Sequence, residues 1–362
     1  MRPIPDRAVL LIGNLLSSSV GNRAISEEMS ARLSARGWSV HSASTCRAKV
    51  PRLLDMVWTA WSRRRLYRIA QVDVFSGSAF FWAEAVCALL RLLGKPYVLV
   101  LRGGNLPVWL RRWPRRSTGL LASAAAVTAP SAYLVDRMSA CRRDIRLIPN
   151  AIELADYPFR LRREPRPRLV WLRAFHRVYN PAMAVEVLAL VARDFPDATL
   201  LMIGPDKGDR SFQRTEEAAR RLGLADRVEF SGAVPKKEIA RWLSRGDIFL
   251  NTTNVDNTPV SVVEAMACGV PVVTTDVGGI PYLLEDGEDA LLVPPRNPLA
   301  MAAAVRRVLD EPGLAARLSL QARAKAEAFD WPAVLDEWED LLEMLGRPPG
   351  QACATAERSF QS

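Results

Sequence analysis

Twelve short apolar runs, separated by stretches of helical periodicity, constrain this chain more than any other feature. In the first half they are Ala8 to Ile12, Ser39 to Ala43, Val72 to Ser76, Tyr97 to Leu101, Ala125 to Thr128 and Arg146 to Ile148. In the second half they are Arg168 to Leu172, Thr199 to Ile203, Arg227 to Phe230, Ile248 to Leu250, Pro271 to Thr274 and Ala290 to Val293. Runs this short, with helical segments such as Pro181 to Asp194, Phe212 to Leu222 and Lys236 to Arg245 between them, predict parallel sheets wrapped by helices. Between the halves, Asp156 to Pro167 is rich in Pro and Arg and lacks periodicity, which reads as a linker. The expected organisation is a Rossmann-like domain over 1–155, a linker over 156–167 and a second Rossmann-like domain over 168–329. An amphipathic helix over 330–346 and a polar, disordered tail over 347–362 complete the chain. Two such sheets facing each other would leave a cleft, and ligands commonly bind at interfaces of this kind.

The stretch from Arg245 to Pro294 reads as strand, loop, helix, strand, helix. Thr258 is placed to cap the first of these helices and Pro259 to open it, and Gly269 to end it. Unpaired N–H groups in a first helical turn, with the positive end of the macrodipole behind them, favour an anion. Asp256 stands on the loop and Glu264 inside the helix among Val262, Val263, Ala265 and Met266, where a carboxylate needs a partner. Gly278-Gly279 leads into the next helix.

Asp256 and Glu264, separated by seven residues and followed by Ala265-Met266-Ala267-Cys268-Gly269-Val270-Pro271-Val272-Val273 and the glycine pair, resemble the donor-binding motif of the retaining glycosyltransferases of family 4. Ile148-Pro149-Asn150-Ala151 resembles that family's segment at the end of its first domain. The resemblance implies an α/β chain of GT-B fold, two Rossmann-like parallel-sheet domains facing across a cleft, with the last helix crossing back to the first domain. It also implies a nucleotide-diphosphate sugar as donor, with Glu264 on the ribose hydroxyls, Asp256 reaching the transferred sugar and Arg173 beside the diphosphate. Gly204, Gly232, Asn257, Thr258 and Pro259 would border the donor. The family's phosphate-binding lysine is absent: its position holds Tyr179, and His176 or Arg177 is left to supply that charge. The family's usual first acid is Glu, and an acid often stands where this chain has Tyr282.

On the acceptor side, the turn after the first strand offers Gly21 and Asn22, and the turn after the fourth offers Arg102, Gly103, Gly104 and Asn105. Glycines permit close approach to a ligand, and an arginine suits a phosphate or carboxylate. No Asp-x-Asp pair stands on a strand-end loop, so no metal is expected. With only His41 and His176 in the chain, a histidine base is poorly supported. The resemblance instead implies that the departing phosphate accepts the acceptor's proton.

Charge divides the chain. Residues 1–150 hold 23 Lys and Arg against 8 Asp and Glu, within an overall net charge of +10. Two basic clusters contain tryptophan, VWTAWSRRRLYR at 57–68 and VWLRRWPRRS at 108–117, a composition of helices at a bilayer interface and equally of solvated helix faces with core tryptophans. The expected partners are a nucleotide sugar, a glycan or lipid-linked acceptor and an anionic membrane surface; no recognised motif points to nucleic acid. Five cysteines without a close pair, and no long apolar run, fit a cytoplasmic protein, peripheral on the inner face of the membrane. Two other readings stand beside transfer: an epimerase or phosphorylase on the same fold, and a non-catalytic binding protein.

Overall fold

The computed structural model describes residues 4–13, 25–44, 46, 48–103 and 105–347. The chain divides into two compact units, the first comprising residues 1–149 and 332–362 and the second Asn150–Trp331. Gly21, Asn22, Gly104 and the tail beyond 347 lie outside the described residues.

Unit 1 is built from β1 (Ala8–Ile12), α1 (Ile25–Ala35), β2 (Ser39–Ala43), α2 (Lys49–Ser62), β3 (Ile69–Val74), α3 (Ser78–Leu92) and β4 (Tyr97–Leu101). It continues with α4 (Leu106–Leu110), α5 (Pro114–Ala122), β5 (Ala126–Ala129), α6 (Ala132–Met138) and β6 (Ile145–Leu147). Its six strands are parallel in the order β2-β1-β3-β4-β5-β6. β1, β3, β4 and β5 are buried along their whole length, the reason they read as unbroken apolar runs. At the start of α6 the Ser131 hydroxyl accepts the Leu134 N–H at 3.2 Å.

The last helix, α14 (Trp331–Gly346), belongs to unit 1 from Pro332 onward. Its acidic side is held there by ion pairs. Arg36 reaches Asp336 and Glu339, the Trp38 indole N–H donates to Glu339 at 2.8 Å, and Arg7 lies 2.7 Å from Glu343.

Unit 2 contains β7 (Arg168–Leu172), α7 (Pro181–Val191), β8 (Thr199–Ile203), α8 (Ser211–Arg221), β9 (Val228–Gly232), α9 (Ile239–Leu243) and β10 (Ile248–Asn251). It ends with α10 (Val260–Ala267), β11 (Val272–Thr275), α11 (Ile280–Leu283), β12 (Leu291–Val293), α12 (Pro298–Asp310) and α13 (Leu314–Ala326). The strands are parallel in the order β12-β11-β10-β7-β8-β9, with apolar cores on two sides: one around Trp171, Leu188 and Val305, the other around Phe249, Val263 and Met266.

Three expectations change. Residues 156–167 form part of unit 2, because Tyr157 and Arg162 are buried and Arg162 donates to the Arg160 carbonyl at 2.6 Å and to the Cys268 carbonyl. An open concavity of about 650 Å³ lined by Arg160, Arg163, Arg166 and Asp247 lies here, at the amino ends of β7 and β10. The helix expected over Lys236 to Arg245 is a 3-10 turn, Lys236–Glu238, followed by the short α9. The helix expected to open at Pro259 begins at Val260, with Pro259 itself at the cap position and no side chain bonding there. Proline has a fixed φ and no N–H, so it serves at either position and does not fix the boundary.

Candidate functional site

In unit 2 the chain runs from β7 out to β8 and β9, then returns to β10 on the other side of β7, so the strand order reverses between β7 and β10. Open α/β sheets bind ligands outside the carboxyl ends of the strands at such a reversal. Arg173 follows β7 there, its N–H donating to the Ile203 carbonyl at 3.0 Å, and the Gly204 N–H donates to the Gly232 carbonyl at 2.9 Å. Arg173, Gly204 and Gly232 therefore stand in a row along the ends of β7, β8 and β9. Gly204 has φ +145°, and a Cβ there would lie 1.9 Å from the Arg173 carbonyl oxygen.

The loop after β10 is fastened on both sides. The Trp171 indole N–H donates to the Thr252 hydroxyl at 3.0 Å, and that hydroxyl donates to the Tyr179 carbonyl at 2.7 Å. The Asn254 N–H donates to the Val178 carbonyl at 2.7 Å, the Thr275 hydroxyl to the Thr253 carbonyl at 2.6 Å, and the Gly279 N–H to the Asp256 carbonyl at 3.1 Å. Asp256 is thus carried to Arg173. Its Oδ1 accepts the Asn257 N–H at 2.9 Å, and its Oδ2 forms an ion pair with the Arg173 guanidinium. The ring of Tyr179, where the resembled family has lysine, lies under that guanidinium, 4.4 Å from its centroid.

Glu264 is 7 % exposed and is the one ionisable side chain of α10. The Tyr157 hydroxyl donates to its Oε1 at 2.7 Å. Burial raises the Glu264 pKa, while the Tyr157 hydroxyl, Lys236 and Arg173 work in the opposite direction. Burial lowers the Arg173 pKa, opposed by Tyr179 and Glu264. The guanidinium and the carboxylate therefore feel one another's charge in a poorly solvated setting, where such interactions are weakly screened. Tyr157 and Lys236 were missed in the sequence, the first because it lies in the apparent linker, the second because it read as an ordinary helix start.

The other expected contributors are distributed differently. His176 accepts the Val178 N–H at 3.3 Å and lies 3.6 Å from Asp209, whose pKa is lowered to about 2, first of all by the Arg177 N–H. Arg177 is exposed, and the His176 ring lies 6.2 Å from that of Tyr179, the ring under the Arg173 guanidinium. Asn257, Thr258 and Pro259 lead directly into α10. Among the described residues no group of three or more His, Cys, Asp or Glu is arranged to hold a metal.

In unit 1 the strand order reverses between β1 and β3. At that place Arg102 Nε donates to Asp73 Oδ1 at 3.2 Å, and the Ser26 hydroxyl donates to Asp73 Oδ2 at 2.9 Å. Asp73 is 8 % exposed, and a Cβ on Gly13 would lie 2.5 Å from its Oδ2. A lone acid in the apolar run IAQVDV was the available sequence signal. Gly103 has φ +86°, and Asn105 precedes α4.

Two family models match the chain: "Glycosyltransferase Family 4" over residues 23–156 and "Glycosyl transferases group 1" over residues 166–311. The chain belongs to glycosyltransferase family 4. A D-inositol 3-phosphate glycosyltransferase of Acidothermus cellulolyticus is 28 % identical over 72 % of this chain and 63 % of its own length. Matches to enzymes of that description span from 26 % to 64 % of those enzymes' lengths. Among solved structures, sucrose-phosphate synthase of Thermosynechococcus elongatus superposes with TM-score 0.77 over 94 % of this chain and 99 % of its own, at 18 % identity. HepE of Anabaena, in complex with UDP and glucose, gives TM-score 0.73 over 93 % of this chain and 99 % of its own, at 16 % identity. The fold is GT-B. The family-4 motif thus falls on the strand reversal of unit 2, with Arg173, Asp256 and Glu264 gathered around it.

Asn257 and Gly279 illustrate how tightly that motif is built. A Cβ on Gly279 would lie 1.9 Å from the Asn257 carbonyl oxygen. Gly279→Ala is expected to cost about 1–3 kcal/mol of stability by forcing the 256–258 loop away. Gly119→Ala, inside α5 with open space around it, is expected to gain about 0.5–1 kcal/mol. Thermal melts of the two variants beside the parent check the difference.

Proposed function

We propose that this chain transfers a sugar, with retention of anomeric configuration, from a nucleotide-diphosphate sugar held by unit 2 to a hydroxyl of a glycan or lipid-linked acceptor. The observation that carries the reading is Arg173 at the end of β7, ion-paired with Asp256 and electrostatically coupled to buried Glu264 at the strand reversal. In the reaction, the bond from the anomeric carbon to the β-phosphate oxygen breaks and a bond to the acceptor oxygen forms. The acceptor proton passes to the departing phosphate oxygen. Arg173 stabilises charge growing on the diphosphate. Lys236 adds positive charge near Glu264, Glu264 takes the ribose hydroxyls, and Asp256 steadies Arg173 and reaches the sugar. Gly204 and Gly232 let backbone approach the donor. No metal is part of this scheme.

Uridine nucleotides are the first donors to test, because HepE is described with UDP and with UDP-glucose. Inositol phosphates join glycans and polyprenyl-linked sugars as acceptors to test, given the D-inositol 3-phosphate glycosyltransferases among the relatives. The setting proposed is cell-surface polysaccharide or glycolipid synthesis, at the inner face of a membrane.

Donor recognition is measured first by thermal shift. A nucleotide sugar at one hundred times its dissociation constant adds about 2.7 kcal/mol of stability. Mass spectrometry of the products then separates the reactions. Transfer adds one sugar residue to the acceptor, epimerisation leaves the donor mass unchanged, and a binding protein yields no product. An inverted anomeric centre in the isolated product would overturn the retaining mechanism.

A further inference from the structure

Helix α2 turns apolar side chains outward. Val50, Leu54, Trp58 and Trp61 recur at intervals of four, four and three residues, which places them on one face, and their exposures are 69, 63, 63 and 44 %. The opposite face, with Met56, Thr59 and Ala60, is buried in unit 1. Lys49 and Ser62 are exposed at the two ends of the stripe. The Trp58 and Trp61 ring centroids are 5.3 Å apart, and the Arg64 guanidinium lies over Trp61 at 4.6 Å. Arg63 and Arg65, both exposed, flank Arg64.

The same helical layer repeats the chemistry. Right-handed crossovers from β2 to β3, β3 to β4 and β4 to β5 put α2, α3 and α4–α5 on one face of the sheet. Arg52 of α2 lies over Trp82 of α3 at 5.6 Å, tying the first two together. Beyond them Phe81 and Trp113 are exposed, with the Arg116 guanidinium over both rings at 5.0 and 5.9 Å, and Arg111, Arg112 and Arg115 are exposed around them.

We propose that the α2 face docks this chain on an anionic lipid surface. Leu54, Trp58 and Trp61 enter the boundary between headgroups and acyl chains, and Arg64 and Arg65 pair with lipid phosphates. Charge complementarity selects this occupant. Residues 1–150 carry an excess of 15 positive charges, a field that attracts an anionic membrane and opposes a second copy of the same face. Tryptophan with a stacked guanidinium has an apolar body and a polar end, as a headgroup boundary requires. No described helix is long and apolar enough to cross a membrane, so this is attachment at the surface. It deepens the lipid-linked-acceptor reading above, but the residues lie in unit 1, so docking and donor binding are measured separately.

The test is flotation of the full chain with vesicles of phosphatidylglycerol and phosphatidylcholine, and with phosphatidylcholine alone, at low and high salt. Expected are binding to the anionic vesicles, its weakening by salt, and at least about a tenfold loss of affinity in Leu54→Ser/Trp58→Ser and in Arg64→Gln/Arg65→Gln. Both variants should keep the parent melting temperature and nucleotide-induced shift. Absence of vesicle binding in the parent overturns the proposal, as does equal binding by well-folded variants. So does a concentration-dependent dimer that the serine variant abolishes, since a second copy would then cover the face. Docking without any nucleotide-induced shift would uphold this inference while removing support from the transfer reading.

Discussion

Arg173→Ala is expected to lower nucleotide-sugar turnover by about a thousandfold, the scale found when a donor aimed at developing negative charge is removed. The side chain is held for that purpose from two sides, by the Asp256 carboxylate and by the Tyr179 ring at 4.4 Å. Arg173→Lys should recover only part of the activity, because an ammonium lacks the planar fork that meets a diphosphate at two points. Truncation also leaves Asp256 without its guanidinium in a site where that carboxylate is 12 % exposed. An uncompensated charge in such a place destabilises the fold. Arg173→Ala/Asp256→Asn removes that complication and should be equally inactive while melting closer to the parent. The decisive measurement is kcat for the double variant. A value near the parent's would show that the strand end is not where the diphosphate charge is met.

Glu264→Gln is expected to separate function from stability. Loss of charge-assisted bonds to the ribose hydroxyls costs about 1.5–3 kcal/mol each, so donor affinity should fall by about tenfold or more. Stability should move the other way. Burial holds the Glu264 carboxyl above its ordinary value. A group raised on folding favours the folded state fully below its unfolded pKa, and that advantage is lost as pH rises through the folded pKa. Glutamine does not titrate. The variant should therefore melt higher than the parent at neutral pH, with the gap narrowing as pH falls toward the carboxyl range. Paired melts and donor titrations across that range check both halves. Unchanged donor affinity in a stable variant would remove Glu264 from the site.

Most strand positions were legible because β1, β3, β4, β5, β10 and β11 are short runs buried along their whole length, a pattern that survives without knowledge of its neighbours, whereas β2, β6 and β9 are only partly buried. Ser39–Ala43, Tyr97–Leu101, Arg168–Leu172 and Thr199–Ile203 have the bounds expected from their apolar runs. Boundaries set by less exclusive residues were not legible. Pro259 fits a cap as well as a first turn, and the turn at Lys236–Glu238 carries no side-chain pattern that separates one 3-10 turn from a longer helix. The 156–167 segment was misread for a related reason. Its Pro and Arg content looks like exposed chain, yet the Arg162 guanidinium is spent on the carbonyls of Arg160 and Cys268, the second lying far along the sequence.

The sequence alone determined the alternation that makes two parallel sheets, and the Asp256, Glu264 and glycine spacing that resembles the family-4 donor motif, since both depend on residues close together in the chain. Tertiary structure decided who meets whom. It set Arg173 on Asp256, Tyr157 on Glu264 and Arg102 on Asp73, contacts between residues far apart in the chain that only the folded arrangement brings together. It also decided that Leu54, Trp58 and Trp61 face outward, because periodicity names the faces of a helix, whereas the neighbouring layer determines which of them is covered.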